Sequence, residues 1–229
     1  MDQAIAGAAA LIAIAFAVDL TRNYLKRPRP HAAAYSAGIT MFALASAALA
    51  VALLGGWEGW LYRVFFLFGA ILNIPFLALG SMFLVVGRRA GHITFIATGA
   101  FAAISTTLTT TVPFARALPE TGIPHDIFPP ISEGFGPRLL AAIGGGMGAT
   151  ILIVLALVSL VRFWRSNRRL VGGNALIVAG TLAASTGGTG LAIGEGAAFA
   201  LSLLVAAALI WAGFRVASGA RTAVSTSES

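Results

Sequence analysis

The run AAYSAGITMFALASAALAVALL (residues 33–54) decides the fold class, because it holds no charged residue over a length that matches a lipid bilayer. A helix needs about 20 mostly apolar residues to cross the hydrocarbon core of a membrane. Six more runs of this kind follow along the chain, at 4–20, 61–86, 93–112, 139–161, 171–191 and 197–216. Together the runs take up most of the 229 residues. We therefore predict one seven-helix transmembrane domain over residues 1–217.

The overall composition supports the same fold class. Hydrophobic residues make up 58% of the chain and charged residues only 10%, whereas about 25% of the residues in soluble domains are charged. A membrane β-barrel would instead alternate apolar and polar residues in segments of about ten. The prediction is an all-α, polytopic helix bundle that ends in a short polar tail at 218–229.

Basic residues fix the expected orientation, because cytoplasmic loops of membrane proteins are enriched in Lys and Arg. Only three of the 15 basic residues fall on the side that also carries six of the eight acids, and the N-terminus lies on that side. We expect this side to be outside and the tail to be cytoplasmic, in a plasma membrane of the bacterial inner-membrane type. The twelve residues on the other side are Arg22, Lys26, Arg27, Arg29, Arg88, Arg89, Arg162, Arg165, Arg168, Arg169, Arg215 and Arg221.

The net charge of +7 is explained by the same distribution. Anionic headgroups of the inner leaflet attract basic segments beside membrane helices, so the lipid bilayer is the expected partner of these charges. A nucleic-acid partner is not expected, because that role requires a basic face on a folded soluble module.

The order of spans and loops suggests an internal repeat. The first three predicted spans and the last three follow one plan: a span, a basic loop, a span, a short glycine-rich turn with a glutamate, and a span. The fourth span, 93–112, would link the two triplets in a 3+1+3 parallel pseudo-repeat. Binding sites in such proteins commonly lie at the interface between the halves.

Two glutamates stand in those short turns: Glu58 in GGWEG and Glu195 in GEG. One interpretation is a solvated turn acid near the start of the following helix, where the helix dipole favours a negative charge. The other is a pair of carboxylates at the rim of an outward-facing cavity, where they would bind a cation or relay a proton. Both interpretations stay open at the level of the sequence.

Uncharged polar residues inside the predicted spans give further candidates for ligand contacts. Thr106, Thr109 and Thr110 lie three and four residues apart in the fourth span, a spacing that places residues on one helix face. Asn73 precedes Pro75, which removes a backbone hydrogen bond and is expected to kink the third span. Threonine hydroxyls also bond to their own backbone, so helix packing is the alternative to ligand binding.

The longest connection, residues 113–138, is predicted to be a folded cap on the outer side. It contains six prolines, which reduce the entropy lost on ordering, and several large apolar residues. We expect it to cover the face that carries Glu58 and Glu195.

Small residues recur at a spacing of four in the fifth and sixth spans, at Gly144 and Gly148 and at Gly180, Ala184 and Gly188. Such residues let membrane helices approach closely. The expected result is tight packing of the fifth span on the sixth, and the alternative is a contact with another membrane protein.

Enzyme chemistry receives little support from the sequence. The chain has no cysteine, which removes thiolate nucleophiles and thiolate metal sites, and its three histidines lie in loops or at predicted helix ends. His125, Asp126, Glu120 and Glu133 share the 113–138 loop, but their spacing is typical of a solvated loop. No catalytic residue, metal site or cofactor is predicted.

Two classes of function remain. The first is a non-enzymatic binding, sensing or transport bundle with an outward-facing pocket lined by Glu58, Glu195, Asn73 and the threonines of the fourth span. The second is an accessory or structural subunit that packs in a larger membrane complex. The paired glutamates and the capping loop favour the first, whereas the scarcity of charge within the spans favours the second.

Overall fold

The structure is a computed structural model that describes residues 2–120, 122–124, 126–163, 168–192 and 196–225, without the side chains at 2, 162–163, 168–170, 174, 185–192, 196–197 and 217–225. The described chain is all-helical, with seven long helices and no strand. A single 3-10 turn, Ile131–Glu133, lies in the long connection. The helices are α1 (Asp2–Lys26), α2 (Pro30–Gly55), α3 (Gly59–Val86), α4 (Arg88–Thr111), α5 (Pro137–Phe163), α6 (Arg168–Ala192) and α7 (Gly196–Ser225).

Six of the described helices are long and apolar enough to cross a membrane, which makes the chain an integral membrane protein. The helix α6 is the exception, because its described apolar part is the shorter run Val171–Ala184. A seventh span therefore stays a prediction, as do the orientation and the pseudo-repeat.

Glycine and proline set the ends of the early helices. The helix α1 continues through Lys26, beyond the predicted end at residue 20, and stops before Pro28. A residue that precedes proline is disfavoured in helical conformation. Gly56 and Gly87 have φ of 91° and 118° where α2 and α3 end, a backbone region that glycine adopts without strain.

The helix α3 is irregular on the N-terminal side of Pro75, as the sequence predicts. Residues Phe66–Leu72 form a π-helical segment, and a second one, Met82–Val86, ends the helix. A proline ring cannot bond to the carbonyl four residues earlier and clashes with it, which here is the carbonyl of Ile71. The wider turn accommodates this interruption.

Glycines of α5 lie against this irregular part of α3. A Cβ added at Gly144 would lie 2.5 Å from the Ile71 carbonyl oxygen, and one at Gly148 would lie 2.8 Å from Ile74 Cγ2. The helix α5 also packs on α6, as expected, but this glycine face itself lies against α3. The reason is the close approach that the interrupted backbone of α3 allows.

The helices α6 and α7 form a second close pair. A Cβ at Gly180 would lie 2.6 Å from Ile210 Cγ1, and one at Gly213 would lie 2.6 Å from the Gly173 carbonyl oxygen. The helix α7 also packs on α1, and α2 lies between α1 and α3. The glycine positions of α5, α6 and α7 described above thus serve contacts within the chain.

The helix α4 lies at the edge of the bundle and packs mainly on α3. Only 17% of its most apolar stretch is buried, against 44% for α2 and for α3. Large apolar residues on its outer surface, such as Ile93, Phe95 and Ile96, are exposed. This helix offers a broad surface to lipid or to another protein.

Substitution of Gly144 by alanine should destabilise the bundle, because the new methyl group would collide with the Ile71 carbonyl oxygen. Overpacking of this kind costs about 1–3 kcal/mol. Thermal unfolding of the purified protein in one fixed detergent measures the effect. Gly146→Ala is the matched control, since a Cβ there meets nothing within 4 Å. Equal melting temperatures for the two variants would contradict the close packing of α5 on α3.

Candidate functional site

The two ends of the bundle differ in chemistry. We call the end that holds Gly56 and residues 113–136 the loop end, and the end that holds the α1–α2 and α3–α4 connections the basic end. Arg27 and Arg29 are exposed in the first of these connections, and Arg88 and Arg89 are exposed at the start of α4.

Arg63 is the central polar residue of the loop end. Its guanidinium donates hydrogen bonds to the carbonyl oxygen of Thr109 and, at 3.1 Å, to that of Val112. Carbonyls in the last turn of a helix have no partner within the helix, and a positive charge there is favoured by the helix dipole. Arg63 therefore caps α4.

Aromatic rings fill the loop end around Arg63. The guanidinium carbon of Arg63 lies 4.4 Å from the centroid of the Phe114 ring, a cation–π contact. Tyr62 is fully buried and lies 5.6 Å from Phe128 and 5.8 Å from Trp57, measured between ring centroids. Phe128, from the long connection, is 1% exposed. The connection thus contributes to the core of this end.

Two hydrogen bonds fasten the long connection. The indole nitrogen of Trp57 donates to the carbonyl oxygen of Gly122 at 2.7 Å, and the backbone nitrogen of Ala115 donates to that of Ile127 at 2.7 Å. On the surface, Arg116 forms an ion pair with Asp126. The described residues of this connection are therefore folded against the bundle, whereas a cap on the outer side over Glu58 and Glu195 stays a prediction.

The three predicted threonines of α4 differ in burial. Thr106 and Thr110 are exposed, and their hydroxyls donate to the carbonyl oxygens of Ala102 and Thr106, both at 2.8 Å. Thr109 is fully buried, and its hydroxyl has no hydrogen-bond partner among the described residues. The three threonines therefore do not share one surface of α4.

The two other described candidates differ in burial and in their hydrogen-bond partners. Glu58 is exposed and accepts a hydrogen bond from the Trp60 indole nitrogen. Asn73 is buried, and its side-chain oxygen accepts from the Ile74 backbone nitrogen at 2.7 Å. Glu195, like His125, lies outside the described residues. Ligand contacts of all six candidates stay a prediction.

A groove of about 530 Å³ opens near the basic end, between α1 and α7. Its polar lining consists of Asp19 and Arg22 from α1 and Trp211 and Arg215 from α7. The Asp19 carboxylate oxygen lies 3.4 Å from the Trp211 indole nitrogen and 3.5 Å from Arg215 Nη1. The apolar lining is Ile12, Ala15, Val18, Ala208 and Ala212.

Aromatic contacts hold the wall of this groove in place. The Trp211 ring stacks on Phe16 with centroids 6.2 Å apart, and Phe16 contacts Phe214 at 5.6 Å. Phe214 in turn meets Tyr35, whose hydroxyl forms a hydrogen bond of 2.9 Å with that of Ser81. The groove is therefore backed by packed side chains from α1, α2, α3 and α7.

The sequence contains a signal for this site, although Asp19 is not among the predicted site residues. Asp19 falls inside the first apolar run, and an acid within a membrane span is rare and marks a functional position. Its partner could not be read from the sequence, because Arg215 stands 196 positions later. Only the packing of α7 on α1 brings the two together.

Replacing Arg63 by glutamine should lower the melting temperature, because the terminal carbonyls of α4 would lose a charged donor. Hydrogen bonds to charged groups contribute about 1.5–3 kcal/mol each. Arg116→Gln is the control, since its side chain is 69% exposed in the ion pair with Asp126 and surface pairs contribute about 0–1 kcal/mol. Thermal unfolding of both variants in the same detergent measures the difference. A loss for Arg116→Gln as large as that for Arg63→Gln would show that Arg63 does not hold α4.

No protein-family model, curated protein or solved structure matches this chain. The function must therefore be inferred from the groove, the loop end and the charges of the chain itself.

Proposed function

We propose that this integral membrane protein is a non-enzymatic bundle that binds a ligand for transport or sensing, and that the groove between α1 and α7 is its binding site. The observation that carries the proposal is the groove itself: it holds a carboxylate, two arginines and an indole beside an apolar wall. Ligand sites combine mostly apolar surfaces with a few convergent polar groups in this way.

The close packing of the loop end also favours the groove as the binding site. Its described part is filled by the packed rings of Trp57, Tyr62, Phe65, Phe114 and Phe128. An outward-facing pocket with Glu58 and Glu195 at its rim remains the other possible location. Access to it would require the long connection to move away from Tyr62 and Phe128.

The proposed orientation places the basic end in the cytoplasm and the N-terminus outside, in the plasma membrane. The exposed basic residues of the α1–α2 and α3–α4 connections support this placement, since cytoplasmic loops carry the excess of Lys and Arg. The groove would then open toward the cytoplasmic leaflet.

An accessory subunit of a larger membrane complex is the second candidate function. The exposed surface of α4 favours it, because this helix buries the smallest share of its apolar stretch among the six candidate spans. Gly99 and Ala103 lie one turn apart on that surface, and a Cβ at Gly99 meets nothing within 4 Å. A partner helix could approach closely there.

Filling the groove tests the proposed function. Ala208 and Ala212 are exposed residues one turn apart in the groove wall, so the double variant Ala208→Leu, Ala212→Leu occupies the groove without a clash in the core. We expect native mass spectrometry of protein extracted in native lipid nanodiscs to show a bound non-protein mass on the wild type and none on this variant. The matched control is Ala100→Leu, Ala103→Leu on the exposed surface of α4. Loss of a stoichiometric protein partner from the control alone would favour the accessory subunit.

Cysteine labelling tests the orientation, without background because the chain has no cysteine. Ser132 and Arg27 are exposed at opposite ends of the bundle. In intact cells, a membrane-impermeant thiol reagent should modify Ser132→Cys at once and Arg27→Cys only after permeabilisation. The reverse pattern would contradict the proposed orientation.

A further inference from the structure

We propose that the groove between α1 and α7 binds one anionic phospholipid of the cytoplasmic leaflet, with its phosphate on Arg22 and Arg215 and an acyl chain on the apolar wall. This inference rests on the proposed function, since it requires the groove to be a ligand site and the basic end to face the cytoplasm. It adds the chemical class of the ligand.

The charge of the groove favours an anion. Two arginines and one aspartate line it, so the positive charge is in excess. The Arg215 side chain is 69% exposed and that of Asp19 is 30% exposed. A guanidinium presents its donors in a planar fork that matches the oxygens of a phosphate. Hydrogen bonds between a guanidinium and a phosphate are shorter than the distance of 3.5 Å between Arg215 Nη1 and the Asp19 carboxylate oxygen.

The polar and apolar linings follow one another along the groove as the headgroup and the acyl chain do in a phospholipid. Both α1 and α7 run from the loop end to the basic end, so earlier residue numbers lie deeper in the bilayer. Ile12 and Ala15 precede Asp19 by about two turns and one turn, and Ala208 precedes Arg215 by about two turns. The charged part therefore lies near the basic end, and the apolar part extends toward the bilayer centre.

Trp211 lies where these two parts meet. Its indole nitrogen donates to Asp19, and its ring stacks on Phe16. Tryptophan is enriched at the level of the headgroups, where one edge of the ring is polar and the rest is apolar. A fixed indole at this level provides a flat wall for the first part of an acyl chain.

Asp19 already has partners within the protein and is not itself the ligand contact. Its carboxylate already accepts from Trp211 and Arg215, which both belong to α7 and line the groove. A cationic headgroup would have to lie beside two guanidinium groups. The basic pockets between membrane helices that bind anionic headgroups on the cytoplasmic side have the same composition.

The test measures lipid retention by native mass spectrometry after transfer of the protein from nanodiscs of phosphatidylcholine alone or of phosphatidylcholine with phosphatidylglycerol. We expect one phosphatidylglycerol to be retained by the wild type, and phosphatidylcholine to be retained at least tenfold less. The variant Arg22→Gln, Arg215→Gln should lose at least tenfold in retention. The control Arg88→Gln, Arg89→Gln removes two exposed charges at the same end of the bundle and should retain the lipid.

Two further arms separate the rival ligands. Asp19→Asn should retain phosphatidylglycerol at least as well as the wild type, because it removes a negative charge from the groove. A loss as large as that of the arginine variant would overturn the proposal in favour of a cationic ligand. Excess glycerol phosphate should not displace the lipid, and displacement would show that a soluble phosphate is the ligand.

The remaining outcomes distinguish this inference from the proposed function. If the leucine variant Ala208→Leu, Ala212→Leu loses its bound mass while the arginine variant keeps it, the groove is a ligand site and the anionic lipid is excluded. If neither variant loses bound mass, both the lipid and the groove as a binding site are excluded.

Discussion

The absence of water from the hydrocarbon core constrains this bundle more than any other factor, because every backbone polar group there must find its partner within the protein. Backbone carbonyls lack a donor from their own helix in two places: at the end of α4 and in the interrupted part of α3. Arg63 supplies donors to the terminal carbonyls of α4. Gly144 brings α5 close to the Ile71 carbonyl that Pro75 leaves without its helical donor. The threonines of α4 bond to their own helix for the same reason.

These solutions make the two ends of the bundle unlike each other. At the loop end, Arg63 connects α3 to α4 and to the long connection, and the aromatic rings around it form a closed core. Near the basic end, α1 and α7 leave an open groove that is lined by Asp19 and Arg215. The loop end is therefore closely packed, whereas the groove near the basic end is open. The proposed ligand site follows from this difference, since a ligand can enter the groove without unfolding any packed element.

Much of the fold could be predicted from the sequence because spans in a bilayer are set by length and polarity, which are properties of the chain alone. The residues 33–54, for example, lie entirely within α2. The candidate site could not be predicted in the same way. The partners of Arg63 and Asp19 are far away in sequence, and the glycine face of α5 met α3 because of the irregular backbone before Pro75. The spacing of Thr106, Thr109 and Thr110 indicated one face, but α3 covers only part of α4, so that Thr109 is buried and its neighbours are exposed.

A density map of the protein in lipid nanodiscs, prepared without detergent exchange, tests the central claim most directly. The claim is that the loop end is a closed, Arg63-centred core and that the ligand lies in the groove between α1 and α7. The account predicts an elongated density against Trp211, with its headgroup beside Arg22 and Arg215, and no ligand density beneath residues 113–138. A water-filled cavity or a ligand beneath that connection, together with an empty groove, would contradict it.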